Sequence, residues 1–184
     1  MEDLRSIKTE KAIEDALMEL IETKGFSNIK IKDIAEKANV NRNTIYLHYT
    51  SKEEIVTKML SKAYGQSDFA GEVISLISGR FDRRTAKAFL NKMLNAIEAN
   101  VELYRVLMTD PGLNGYVIHS IDVIRHKVLK IVKQTEKNRI RVDYVISGIS
   151  GVITRWIVYA TASKEEIEEE LINLALGSIR KIAL

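Results

Sequence analysis

The chain has 184 residues and no cysteine, a single proline and nine glycines. The absence of cysteine excludes disulfides, Cys-based metal sites and thiol catalysis together, and it fits a reducing cytosol. So little proline and glycine leaves few helix breakers, which argues for helix throughout. Only three histidines occur, none at a His-x-x-x-His metal spacing. No glycine-rich phosphate loop follows a strand, and no nucleophile elbow is present. No catalytic residue, cofactor or metal is therefore expected. The N-terminal stretch MEDLRSIKTEKAIED is studded with charge and lacks the apolar core of a secretory signal, so the expectation is a cytoplasmic protein. A strongly basic balance is missing too, since the net charge is +3. Apolar content of 46% and charged content of 29% are ordinary for a globular chain. This length can bury one core, or one core with a small appended head.

What is present is a pattern between Gly25 and Glu54, GFSNIKIKDIAEKANVNRNTIYLHYTSKEE. Ile34 and Ala35 fall on the inner face of a short helix, and Ala38 closes that face. Asn39 sits where the chain must turn sharply, Val40 plugs the corner, and Ile45 points inward from the next helix. Two short helices crossing steeply need this arrangement, with small residues where backbones meet and apolar pins on either side of the turn. The second helix then presents Asn41, Arg42, Asn43, Thr44, Leu47 and His48 outward, with donors suited to base edges and phosphates. Between Lys24 and Lys52 six basic residues stand against two acidic ones, an excess that coincides with the proposed reading head. Lys30 belongs to that basic surface. A helix-turn-helix that binds duplex DNA is the reading these residues support.

The segment resembles the DNA-binding domain of the TetR family of bacterial transcription regulators. The matching residues are Gly25-Phe26, Ile34-Ala35, Val40, Thr44-Ile45-Tyr46, His48-Tyr49 and Ser51-Lys52-Glu53-Glu54. Several positions depart from the family pattern. Lys30 stands where a Ser or Thr cap is common, and Asn39 replaces the turn glycine, which Asn tolerates because it enters the left-handed region cheaply. Asn41-Arg42-Asn43 replaces a Ser-x-Gly, and Tyr49 replaces a Phe. The resemblance implies that Asn41, Arg42, Asn43 and Leu47 approach bases, while Thr44, Tyr46, His48 and Lys52 grip phosphates. Arg42 is the leading candidate for direct readout, because a guanidinium pairs bidentately with guanine.

The remaining pattern is helical. A first helix is expected over about Leu4 to Lys24, ended by Gly25 as a left-handed cap. Two more follow at about Ile31 to Ala38 and Arg42 to His48. Ser51 with Glu54 reads as a capping box that opens a fourth, in which Ile55, Met59 and Leu60 face inward. Gly65, Gly71 and Gly79 punctuate a joint containing Val73-Ile74 and Leu76-Ile77. Body helices are then expected at about Arg84 to Asn100, Val101 to Met108 and Tyr116 to Lys133. Asp110-Pro111-Gly112 forms the one strong turn, and Gln134 to Asn138 a polar loop. The last two helices run about Arg141 to Thr161 and Lys164 to Ile182, the latter capped by Ser163 and Glu166. The fold class expected is all-α, with a head of residues 1–50 and a helical body of residues 51–184 for effector binding and dimerisation.

The window from Val142 to Ala162 nearly reaches membrane-spanning length, but it holds Asp143, Arg155, two glycines and four hydroxyl residues. The better reading is a helix buried at a subunit interface, and no membrane partner is expected. In the family the last two helices meet their two-fold copy in a four-helix bundle, which casts Val145, Ile149, Val152, Ile153, Ile167, Leu171, Leu174 and Ile179 as a homodimer interface. Gly148 and Gly151 would let a neighbouring helix approach closely. The resemblance also implies an effector cavity in the body, with Phe89, Met93, Tyr104, Met108, Tyr116, His119 and Trp156 as candidate lining; ordinary core is the plainer reading for each. Arg155 interrupts an apolar run, so it must find an acid such as Asp122, Asp143 or a late Glu, the solvent, or an anionic ligand. The resemblance points to a dimeric repressor released from its operator by a small molecule. An activator or a regulator gated by a protein partner is the alternative, and a helical enzyme a remote third.

Overall fold

The computed structural model describes residues 4–64, 72 and 82–179. Among them stand nine α-helices and no strand. The head comprises α1 (Leu4–Lys24), a 3-10 turn (Phe26–Asn28), α2 (Ile31–Lys37) and α3 (Arg42–His48), and α4 (Lys52–Tyr64) leads out of it. The body comprises α5 (Arg83–Glu98), α6 (Val101–Thr109), α7 (Asn114–Ile131), α8 (Glu136–Tyr159) and α9 (Lys164–Ile179). The expected joint at Val73-Ile74 and Leu76-Ile77, with its glycines, lies outside the described residues, as does Ile182. No described helix is long and apolar enough to cross a membrane.

Local chemistry explains most boundaries. Ile13, Ala16, Leu17, Leu20 and Ile21 recur at helical spacing, and all are buried from α1. Gly25 follows at φ 72°, but its ψ of 144° throws the chain into the 3-10 turn instead of the left-handed cap expected. Lys30 lacks a hydroxyl, and Asp33 supplies the cap from the other side, its carboxylate accepting the Lys30 N–H at 2.8 Å. That bond, with Lys24 nearby, holds the Asp33 carboxyl below the usual range. Asn39 makes the sharp turn at φ 53°, as its side chain allows.

Two further expectations are corrected. Ser51 Oγ accepts the Glu54 N–H at 3.2 Å, but Glu54 does not reach back to Ser51. Its carboxylate accepts the N–H and the hydroxyl of Thr50, both at 2.6 Å, so the return arm of the box falls one residue upstream. The polar run expected as a loop from Gln134 to Asn138 is instead a set of caps. Gln134 Nε2 donates to Val132 O at the end of α7, Thr135 Oγ1 accepts the Asn138 N–H, and buried Asn138 donates to Lys133 O. The helix α8 therefore starts at Glu136, five residues earlier than apolar periodicity implies.

The main apolar cluster is continuous. It runs from Ile13, Leu17, Ile34 and Ile45 in the head through Ile55 of α4 to Leu94, Leu107, Ile157 and Ile172 in the body. A smaller cluster of Val128, Val132 and Val142 closes the far end of the α7–α8 pair.

Candidate nucleic-acid interface

The third helix is anchored from one side only. Ile45 is completely buried, and Tyr49 behind it is nearly so. Opposite these anchors Arg42, Asn43, Tyr46 and Leu47 stand in solvent, with Leu47 84% exposed and Tyr46 51% exposed. A leucine left this open contributes nothing to the core. Asn41 caps the helix by accepting the Asn43 N–H at 2.9 Å through Oδ1, which leaves its amide donors free to face outward. The fold thus gathers Asn41, Arg42, Asn43, Tyr46 and Leu47 on one open face, with forked donors and one apolar contact that match base edges. Thr44 sits half-buried at the edge of this face, and Lys30 is exposed at the start of α2.

His48 and Lys52 are engaged within the protein. His48 Nδ1 lies 3.3 Å from Glu10 Oε1. Lys52 Nζ donates to Phe26 O at 2.7 Å, Ile29 O at 2.9 Å and Ser27 O at 3.4 Å, and it sits 4.5 Å from the Phe26 ring centroid. An ammonium has three donors, and all three are spent on the turn before α2.

The back of α3 is moored by a network that local pattern did not single out. Lys62 of α4 donates to Glu10 Oε2 at 2.9 Å and to Glu14 Oε1 at 2.6 Å on α1. Tyr49 donates its hydroxyl to the same Glu14 oxygen at 3.0 Å, and Lys58 donates to His48 O at 2.7 Å. The Lys62 bond is the main cause that holds the Glu10 carboxyl below the usual range, with His48 adding to it. Burial, then Glu14, pushes the Tyr49 phenol far above its ordinary value. A signal was there to be read. Glu10 and Glu14 on α1, and Lys58 and Lys62 on α4, are oppositely charged pairs at the same four-residue spacing.

Residues 13–59 match the sequence profile described as bacterial regulatory proteins, tetR family, and residues 84–177 match that of a transcriptional regulator C-terminal region. The chain belongs to the TetR family. It is similar to YvkB, an uncharacterized HTH-type transcriptional regulator of Bacillus subtilis, at 43% identity over 113 residues, which is 61% of this chain and 58% of that protein's length. It is also similar to DhaS of Lactococcus lactis, an HTH-type dhaKLM operon transcriptional activator, at 23% identity over 96% of this chain and 93% of DhaS. Among solved structures it shares a fold with NalD, the secondary repressor of the MexAB-OprM multidrug efflux pump in Pseudomonas aeruginosa. That likeness has a TM-score of 0.67 at 17% identity, covering 97% of this chain and 98% of that one.

TetR-family regulators bind DNA operators and usually act as dimers, and the body residues expected to serve a ligand and a second copy fall in several different environments. Of the candidate effector residues, Tyr104 is buried, while Phe89, Met93, Met108, Tyr116 and Trp156 are half-buried against the main core. His119 and Arg155 are not with them. His119 is exposed beside a shallow groove of about 390 Å³ along α7, with Asp122, Val123 and His126. Arg155 is exposed, its guanidinium 5.5 Å from the Tyr159 ring centroid. The acids expected to serve it, Asp122 and Asp143, both pair with Arg125. Trp156 donates its indole N–H to Ala162 O at 3.1 Å and so braces the turn after α8, where Ala160 adopts φ 48°.

The expected dimer residues are mostly spent inside the chain. Ile153 and Leu171 are buried, and Ile149, Val152 and Ile167 pack on the main core. Val145 is half-buried, Leu174 is exposed, and the Ile179 side chain lies outside the described residues. The opposite face of α8 is the open one. Ile140, Tyr144, Gly148, Gly151, Arg155 and Tyr159 form an exposed stripe, and a side chain added at either glycine would meet nothing within 4 Å.

Proposed function

We propose that this regulator is a dimeric repressor that reads its operator with the open face of α3 and is released by a small-molecule effector. One observation carries the reading. Asn41, Arg42, Asn43, Tyr46 and Leu47 stand together in solvent on a short helix whose other face is pinned by Ile45 and Tyr49. In this reading Asn41, Arg42, Asn43 and Leu47 contact bases, Thr44, Tyr46 and Lys30 contact phosphates, and His48 and Lys52 hold the reading surface in place. The head is residues 1–50, and the body from residue 51 carries the effector site and the dimer contact. The protein performs no catalysis.

Pairing of the heads follows from α8. Its stripe exposes Ile140, Tyr144 and Tyr159 with only Arg155 charged among them, and its two glycines admit a helix at close range. Exposed Leu174 of α9 continues it. A two-fold dimer built there would have to present its two α3 helices to successive turns of the duplex, about 34–36 Å apart. An effector wedged among Phe89, Met93, Tyr104, Met108 and Tyr116 acts only as far as it prefers one head spacing over another.

The test is selection of a duplex from a random library, followed by binding to single-base variants of it. Arg42→Ala should lose about 1–3 kcal/mol and relax selectivity at one base pair. Equal loss on every duplex would reduce Arg42 to a phosphate contact. The similarity to DhaS, named as an operon activator, supports a second reading in which DNA-bound protein promotes transcription. In vitro transcription from a promoter carrying the selected duplex separates the two by sign.

A further inference from the structure

The turn between α6 and α7 reaches the reading head through a side-chain hydrogen bond and a close backbone approach. Asp110 spends both carboxylate oxygens there. Oδ1 accepts the Gly112 N–H at 2.7 Å within the turn, and Oδ2 accepts the Phe26 N–H at 2.9 Å, 84 residues away in the head. Gly112 lies so close to the head that a Cβ added to it would stand 2.6 Å from Ser27 Oγ and 3.3 Å from Ser27 N. No side chain fits that gap without movement. From the other side the Phe26, Ser27 and Ile29 carbonyls are held by Lys52 of α4. The Phe26–Asn28 turn is thus gripped at its N–H by the body and at its carbonyls by α4. It leads directly into α2, and Val40 and Ile45 tie α2 to α3.

We infer that Asp110 is a positioning residue for DNA recognition: from the body, it fixes the turn that sets α2 and hence the angle at which α3 meets DNA. It touches no base and no phosphate. Tyr104 and Met108 stand on α6 before the turn, and Tyr116 on α7 after it, so a ligand that parts α6 from α7 moves this carboxylate. The inference rests on the DNA-reading role of α3 proposed above.

The test exploits a sign. Asp110→Asn removes one negative charge, which by long-range electrostatics should tighten binding to any duplex. Positioning predicts the reverse for the selected sequence. An amide can accept only one of the two N–H groups, because its nitrogen faces the other donor to donor. Loss of a charge-assisted hydrogen bond of this kind corresponds to about tenfold. The full-length protein is measured against the duplex selected by wild type and against a scrambled duplex, alongside hydrogen exchange by mass spectrometry. Expected are about tenfold weaker binding to the selected duplex, unchanged or tighter binding to the scrambled one, and faster exchange at residues 25–29 spreading into 41–48. Gly112→Ala, which wedges the same contact without changing charge, should act in the same direction. Equal loss on both duplexes, or wild-type affinity for the selected one, overturns the inference. If wild type selects no duplex, it is the DNA-reading role that fails. Exchange then decides alone, and acceleration confined to residues 25–29 refutes the coupling.

Discussion

Replacing Lys52 by Met separates two roles that the same lysine could play. The side chain keeps most of its aliphatic stem and loses its charge. In the structure the ammonium serves the Phe26, Ser27 and Ile29 carbonyls at 2.7, 3.4 and 2.9 Å and lies over the Phe26 ring. Each hydrogen bond to a charged group contributes about 1.5–3 kcal/mol net when well sheltered, and the cation–π contact about 0.5–1 kcal/mol at an exposed site. Lys52 is only half-buried and water replaces part of what is lost, so the expected cost is roughly 2–3 kcal/mol. For a chain of this size that lowers the thermal midpoint by about 4–12 °C. A lysine that grips a phosphate would do something else. Its removal would flatten the dependence of log K on log salt by about 0.9 while leaving the midpoint in place. Thermal unfolding and DNA binding across a salt series, both on Lys52→Met and wild type, distinguish the two. A lower midpoint with an unchanged salt slope is expected. A flattened slope at an unchanged midpoint would refute the clamp.

Two further perturbations test other parts of the molecule. The Glu10 carboxyl has its folded pKa below the unfolded value, so its stabilisation is present above about pH 4.3 and disappears as pH falls through the folded value. Glu10→Gln should therefore be less stable than wild type at neutral pH by roughly 1 kcal/mol, and the two stability curves should converge as the pH falls below the depressed folded value; an offset that persists unchanged in acid would show that the Glu10 charge is not what stabilises. Tyr144 is 67% exposed, so Tyr144→Glu should leave the protomer folded while placing a carboxylate in the α8 stripe. Sedimentation velocity should show dimerisation weakened by at least about tenfold, the equivalent of one uncompensated polar group, and an undisturbed dimer would move the interface elsewhere.

The sequence made the head legible because its signals are local. The expected spans of α1 and α3 agree with the structure, since a 3.6-residue apolar period, a glycine and a left-handed asparagine all lie within a few residues of what they control. Contacts between distant segments were not legible. Lys52 lies 23 to 26 residues from the carbonyls it holds, and His48 lies 38 from Glu10, so neither partnership falls within the reach of a local pattern. The body misled in a different way. The helix α8 carries apolar residues nearly all round, and hydropathy alone could not tell its inner face from its outer one. Arg155 interrupts an apolar run in the sequence, yet it lies on the exposed side of the helix with Tyr144, Gly148, Gly151 and Tyr159, so solvent serves it. The start of α8 was hidden because Gln134, Thr135 and Asn138 have loop-like composition but cap helices here.

The unbroken apolar interior from Ile13 and Ile45 to Leu107 and Ile172 makes influence two-way. One apolar cluster joins the head to the body, so repacking in either is felt by the other. Linkage then requires reciprocity: whatever factor a body-bound molecule imposes on the affinity for an operator, the operator imposes on that molecule in return. Under the proposed effector-released reading the promoter is in this sense a second effector, and the ligand concentration needed to empty it would depend on how tightly that particular promoter is held.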